Sequence, residues 1–267
     1  MNIVEAMDRL PLWLVFVVSA MIIIASTEVG FLLGRRQHTR GAETQKITTG
    51  PIVAASLGLL AFMLAFTFGA VMSRFDDRKQ LVLEEANAIG TAFLRADALP
   101  EQARDRIQRI LYDYITLRID ATQSKDAENI MQAVIKSEQM QKEMWSLAMS
   151  IAQREPTPVS ALLLQSLNQL IDLQQKRITV SAYHRMPTVF WFALYGLVIL
   201  AMAVGGYDTG LPGGERSTTA RLIVAVAFSL VLLLIVALER PVVALTSVNQ
   251  AALIDVQRSI KASLPQS

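Results

Sequence analysis

The sequence predicts an all-α, polytopic membrane protein with four transmembrane helices and a helical bundle between the second and third of them. Three observations predict it. Of 267 residues, 52% are hydrophobic and only 18% charged, where a soluble domain carries about 25% charged residues. The deficit of charge is confined to four apolar stretches, each long enough to cross a bilayer. The segment between the second and third stretches has ordinary charge, little proline and apolar residues at helical spacing.

The first span covers about Leu12 to Leu33. A helix of that length rises about 33 Å, enough for a hydrocarbon core about 30 Å thick. It exceeds the roughly 7–15 apolar residues of a signal-peptide core and ends in Gly34-Arg35-Arg36, so it reads as a retained helix. The second span runs from about Pro51 to Met72 and closes at Ser73-Arg74. The third, about Val189 to Tyr207, places Trp191, Tyr195 and Tyr207 as interfacial aromatics. The fourth, Leu222 to Leu238, is apolar on every side except at Ser229 and is stopped by Glu239-Arg240-Pro241. Residues 1–73 thus form a first transmembrane hairpin and 187–240 a second. In the tail, 241–267, Val248, Leu253, Val256 and Ile260 predict a short amphipathic helix lying on the membrane or on the bundle.

Residues 74–186 read as four helices. Leu81, Val82, Ala86, Ile89, Phe93 and Leu94 mark the first, which Pro100 ends. Ile107, Ile110, Leu111, Tyr114, Ile115 and Leu117 or Arg118 mark the second. Asp126 is a candidate N-cap for the third, which carries Ile130, Val134, Met140, Met144, Trp145 and Leu147 and is broken by Pro156 and Pro158. The fourth, about Val159 to Tyr183, carries Leu163, Leu167, Leu170, Ile171 and Ile178. Apolar seams of this kind turn inward in a bundle, and the first and last helices are expected to continue from spans two and three. Basic residues near the span ends favour a cytoplasmic bundle with both termini inside, against the opposing pull of Arg35, Arg36, Arg40 and Lys46.

Several kinds of chemistry are excluded. Without cysteine there is no disulfide, thiolate metal site or thiol nucleophile. The two histidines, His38 and His184, are far apart and read as solvated residues rather than metal ligands. A net charge of +2 and a pI near 9.0 come from basic residues at span ends, which suits membrane orientation and not nucleic acid. No nucleotide loop, zinc pattern or nucleophile elbow is present, so no catalytic residue, cofactor or metal is expected.

Five groups of residues stand out. Gly58, Phe62, Phe66 and Ala70 are spaced by four in the second span. Phe62 and Phe66 could form a hydrophobic constriction in a ring of such helices, or could face lipid and neighbouring helices. Glu28 lies near the end of the first span, where an ionised carboxylate faces protein, water or a partner. Glu84 and Glu85 point about 100° apart on a helix and cannot act as a catalytic pair. Asn87 and Thr91, at i,i+4, suggest a buried polar contact, and Arg95 follows on the same helix. Glu239 and Arg240 end the fourth span, where the arginine complements the helix dipole.

Four segments together resemble the bacterial bestrophin-like family: Ala65–Gly69 with Arg74–Lys79 and Glu84–Ala96; Asn168–Asp172 with Arg177; Pro187 with Trp191, Gly205-Gly206-Tyr207 and Gly210; and Leu238–Pro241 with Val248 and Gln250. The stretch EEANAIGTAFLRA is the specific part. In the fourth segment the family tends to read Asp-Leu-Asp-Arg-Pro with a glycine three residues on. Here Ala237, Glu239 and Ala244 stand in those places, which removes one carboxylate from that corner. The resemblance implies a multi-pass protein of the bacterial inner membrane, similar to bestrophins, which are anion channels, usually pentameric, with a pore lined by the second helix. Its implied partners are the lipid bilayer, further copies of itself and an inorganic anion such as chloride. The competing expectation is a membrane-embedded sensor, regulatory or scaffold protein without transport.

Overall fold

The structure is a computed structural model that describes residues 10–39, 49–124, 126–183, 186–212, 218–240 and 249–264. The regular structure among them is helical throughout: α1 Leu12–Thr39, α2 Gly50–Ala96, α3 Glu101–Gln123, α4 Ala127–Arg154, α5 Pro158–Tyr183, α6 Thr188–Gly210, α7 Thr218–Glu239 and α8 Ala251–Ser263. Four helices, α1, α2, α6 and α7, are long and apolar enough to cross a membrane, in agreement with the four spans expected.

Local chemistry sets the helix ends. Asp126 caps α4 by accepting from Glu128 N at 3.0 Å. Thr157 and Ser160 exchange side-chain and backbone hydrogen bonds at 3.1 and 3.2 Å across the start of α5, a reciprocal cap. α2 runs unbroken out of the second span, as the sequence predicts. Span three differs: α5 ends at Tyr183 and α6 begins at Thr188. Pro187, which lacks an N–H and disfavours helix in the residue before it, separates them.

The chain divides into two compact units, residues 1–74 with 185–246, and 75–184 with 247–267. In the first, α1 packs along α6 and α7. The α1–α6 crossing is built on Gly30 and Gly34 facing Gly206 and Gly210. A methyl group on Gly30 would overlap the Ala203 carbonyl and lie 2.9 Å from its Cα, and one on Gly206 would meet the Thr27 carbonyl carbon at 2.9 Å. Small residues at such positions let helix backbones meet where lipid offers no hydrophobic drive to associate. Ser19 Oγ and Tyr195 Oη add a 2.9 Å hydrogen bond across the same pair. The first part of α2 turns Leu60, Leu64, Thr67 and Val71 inward.

The second unit is a bundle of the latter part of α2 with α3, α4, α5 and α8. Its core contains Ile89 and Phe93, Ile107, Leu111 and Tyr114, Met144, and Leu163, Leu167 and Leu170. Of the two sites open to the tail helix, α8 takes the bundle: Leu253 and Ile260 are buried in this core, and Gln257 Nε2 donates to Thr116 Oγ1 at 2.8 Å. Burial of those two side chains stabilises the docked helix by about 3–6 kcal/mol before ordering entropy is counted.

Candidate functional site

In the membrane-spanning part of α2, the face opposite Leu60 and Leu64 is open. Phe62 and Phe66 lie one turn apart on it, 65% and 56% exposed. Leu59, Gly69 and Ser73 share this face and are exposed as well, giving a 3–4 spacing of uncovered residues. Gly58 is also exposed, whereas Ala70 is half-buried.

Two ion pairs belong to the same unit. Glu28 on α1 accepts from Arg221 Nη1 of α7 at 2.7 Å, and the Arg221 guanidinium lies 4.5 Å from the Phe31 ring centroid. The carboxylate is therefore neutralised by a neighbouring helix, as a charge within a bilayer generally requires. At the end of α7, Glu239 is buried, accepts from Met186 N at 2.5 Å and lies 3.6 Å from Arg74 Nη1. Arg240, also buried, donates to the Leu10 carbonyl at 2.7 Å.

In the bundle, Glu85 is fully buried. It is the centre of a charged network that α2, α3, α4 and α5 converge to form. Glu85 Oε1 accepts from Tyr114 Oη at 2.9 Å and from Arg118 Nε at 3.0 Å, and Oε2 pairs with Arg177. Gln174 and Gln141 complete it: Gln174 Oε1 lies 2.9 Å from Tyr114 Oη and 3.0 Å from Gln141 Nε2. Burial opposes ionisation of Glu85, but the charges of Arg118 and Arg177 and the hydrogen bonds outweigh it and hold the carboxyl below its ordinary value. Burial, then the charge of Glu85, pushes the Tyr114 phenol well above its ordinary value. For Arg118, burial is more than offset by Glu85, and its pKa is raised.

The remaining predicted residues lie apart. Arg95 ties α2 to α5 by donating to the Leu162 carbonyl and Ser166 Oγ, both at 2.6 Å. Asp172 is exposed and accepts from Asn168 at 3.5 Å. Asn87 and Thr91 are exposed, with Leu83 and Leu94 on the same face. The buried polar contact expected for them is absent because the apolar seam of this helix runs through Ala86, Ile89 and Phe93 instead. Sequence reasoning missed Gln141, Gln174 and Arg221. Of the two candidates for the end of the α3 stripe, Leu117 and Arg118, it is Arg118 that continues the buried Ile107, Leu111, Tyr114 periodicity, so its charge had to meet a counter-ion. Among the described residues, no set of His, Asp or Glu side chains converges as metal ligands.

A four-span helical membrane protein, with an extramembrane bundle organised around a buried carboxylate–arginine network, is the class this architecture defines. The model of the bestrophin-like domain matches residues 20–253, and the chain belongs to the bestrophin-like family. Solved structures share the fold. A bacterial bestrophin homologue from Klebsiella pneumoniae superposes with a TM-score of 0.68 at 16% identity, over 94% of this chain and 99% of that one. A tyrosine-to-alanine variant of the Klebsiella homologue gives 0.69 at 14%, over 94% and 99%. A protein described as a membrane protein, carrying a proline-to-alanine substitution, gives 0.72 at 14%, also over 94% and 99%. No curated protein sequence matches the chain.

Proposed function

We propose that this protein is a homo-oligomeric anion channel of the bacterial inner membrane, a pentamer, with α2 lining the pore and Phe62 and Phe66 forming its constriction. The observation that carries the reading is the uncovered face of α2. Leu59, Phe62, Phe66, Gly69 and Ser73 recur at the 3–4 spacing a helix presents to a ring of like helices, while the opposite face is buried by the chain's own residues. Two phenylalanine layers one turn apart make a constriction that excludes water unless it widens. Membership of the bestrophin-like family supports the same reading. The bundle and both termini lie on the cytoplasmic side, consistent with the basic residues Arg74, Arg78 and Lys79 just past the second span.

Chloride flux through the purified full chain in liposomes, with the oligomeric mass measured in the same preparation, tests this. Flux from a homogeneous oligomer, increased by Phe66→Ala, is the expected result. Absence of flux from an intact oligomer would set conduction aside in favour of a regulatory or scaffold role. A C-terminal tag found on the extracytoplasmic side would reverse the orientation.

A further inference from the structure

Between α4 and α5 the bundle carries an open cavity of about 380 Å³, lined among others by Glu138, Gln141, Lys142 and Trp145 from α4 and Gln174 and Gln175 from α5. Its size falls in the range of small-molecule sites, about 300–1,000 Å³. Two features distinguish it from a mere gap between helices. Its base is formed by two amides that are almost wholly buried, Gln174 at 2% and Gln141 at 6% exposure, and an indole stands beside them.

Each of these amides uses only one of its two polar atoms inside the protein. Gln141 Nε2 and Gln174 Oε1 bond each other and approach Tyr114. Among the described residues, Gln141 Oε1 and Gln174 Nε2 make no hydrogen bond, yet neither is sealed from solvent. They are an acceptor and a donor without a protein partner, on two residues that line the cavity. The chemistry of Tyr114 reinforces this. Its single proton goes to the ionised Glu85, so its oxygen is best matched by an amide donor. Turning both amides by 180° supplies that donor from Gln174 and keeps the Gln141–Gln174 bond. It then leaves Gln174 Oε1 and Gln141 Nε2 as the pair without a protein partner. In either orientation the base of the cavity offers one donor beside one acceptor.

An adjacent donor–acceptor pair with an aromatic platform is the recognition chemistry of a nucleobase edge. Glutamine reads such edges through paired hydrogen bonds, and bases stack on aromatic side chains. At the rim, Glu138 and Lys142 are exposed and not paired with each other. The carboxylate suits ribose hydroxyls and the ammonium a 5′-phosphate. We propose that this cavity binds a free nucleoside or nucleotide, the base seated on Gln141 and Gln174 against Trp145. The site does not rest on the conduction reading. The Tyr114–Glu85–Arg118–Arg177 network behind the two glutamines would sense its occupancy.

Calorimetric titration of the purified full chain in detergent with adenosine, guanosine, cytidine and uridine, and with ribose as control, tests the proposal. At least one nucleoside is expected to bind saturably with a Kd below about 1 mM, while ribose gives no heat. Trp145→Ala is expected to weaken that binding about 5- to 100-fold, the range for loss of a stacking partner, with Trp145→Phe recovering most of it. Should Trp145→Ala fail to fold, Gln175→Ala and Glu138→Ala, both at exposed positions, must each weaken binding. Tighter binding of the 5′-monophosphate, lost in Lys142→Ala, would identify a nucleotide as the ligand; equal binding would identify the nucleoside. No nucleoside binding, ribose binding equally well, or binding indifferent to every one of these substitutions would overturn the proposal.

Discussion

Replacing Glu85 by glutamine is the sharpest perturbation of the bundle. The side chain keeps its volume, but the network loses its only negative charge, and one oxygen becomes an NH₂ group aimed at an arginine or phenol donor. Arg118 is itself buried and Arg177 nearly so; both are left without a counter-ion. Breaking a buried ion pair from one side is destabilising by about 3–5 kcal/mol. The affected unit comprises residues 75–184 and 247–267. For a unit of that size each kcal/mol displaces the melting temperature by about 3–4 °C, so Glu85→Gln is expected to lower it by roughly 10–20 °C. The assay is thermal unfolding in detergent, followed by Trp145 fluorescence in a background where the other two tryptophans, Trp13 and Trp191, are phenylalanine. The pH dependence gives a second readout. Against its burial, Arg118 and Arg177 hold the Glu85 carboxyl below its ordinary value in the folded chain. Its stabilisation is therefore complete above the unfolded-state value, and is lost as pH falls through the folded-state value. The gap between wild type and variant should be constant above about pH 5 and narrow in more acid solution. A fall of less than about 3 °C at neutral pH would refute the assignment of Glu85 as the counter-ion of both arginines.

Two further outcomes follow from the membrane unit. Gly206→Ala, which drives a methyl into the Thr27 carbonyl, should destabilise by at least about 1–3 kcal/mol and broaden the elution profile, whereas Gly205→Ala, with open space around it, should elute like wild type. Glu28→Gln and Arg221→Gln should each lower the melting temperature, and the double variant should lose less than the sum of the two. Strict additivity in that cycle would mean the pair contributes no coupling.

The spans were legible because a bilayer imposes a length and a polarity at once. Leu222–Leu238 meets both, and the charged Glu239-Arg240 then marks its end. Bundle helix ends were legible wherever a proline or a cap residue stood, as at Pro100, Asp126 and Pro158. The pairing of elements was not. Nothing near Val256 tells that the tail helix docks against α3 of the bundle, and nothing near Glu28 points to Arg221 on α7. Residue placement within a seam was also misjudged where apolar residues flank both sides of a helix. Leu94 was expected inside and is 68% exposed, because Ala86, Ile89 and Phe93 already fill the inward face. A one-dimensional pattern cannot say which of two adjacent faces the chain covers itself.

The glycine crossing of α1 and α6 bears on how the chain is made. Its two halves lie on either side of residues 40–187, so α1 enters the bilayer long before α6 exists. At about 5–20 residues per second, the ribosome needs on the order of ten seconds to supply the missing helix. Throughout that interval the notch at Gly30 and Gly34 is filled by lipid or by some transient companion, which α6 must displace on arrival. The first hairpin is thus an unfinished insertion product until the second is delivered. An arrested nascent chain ending before Thr188 should accordingly be extracted from the membrane more readily than one that extends past Gly210.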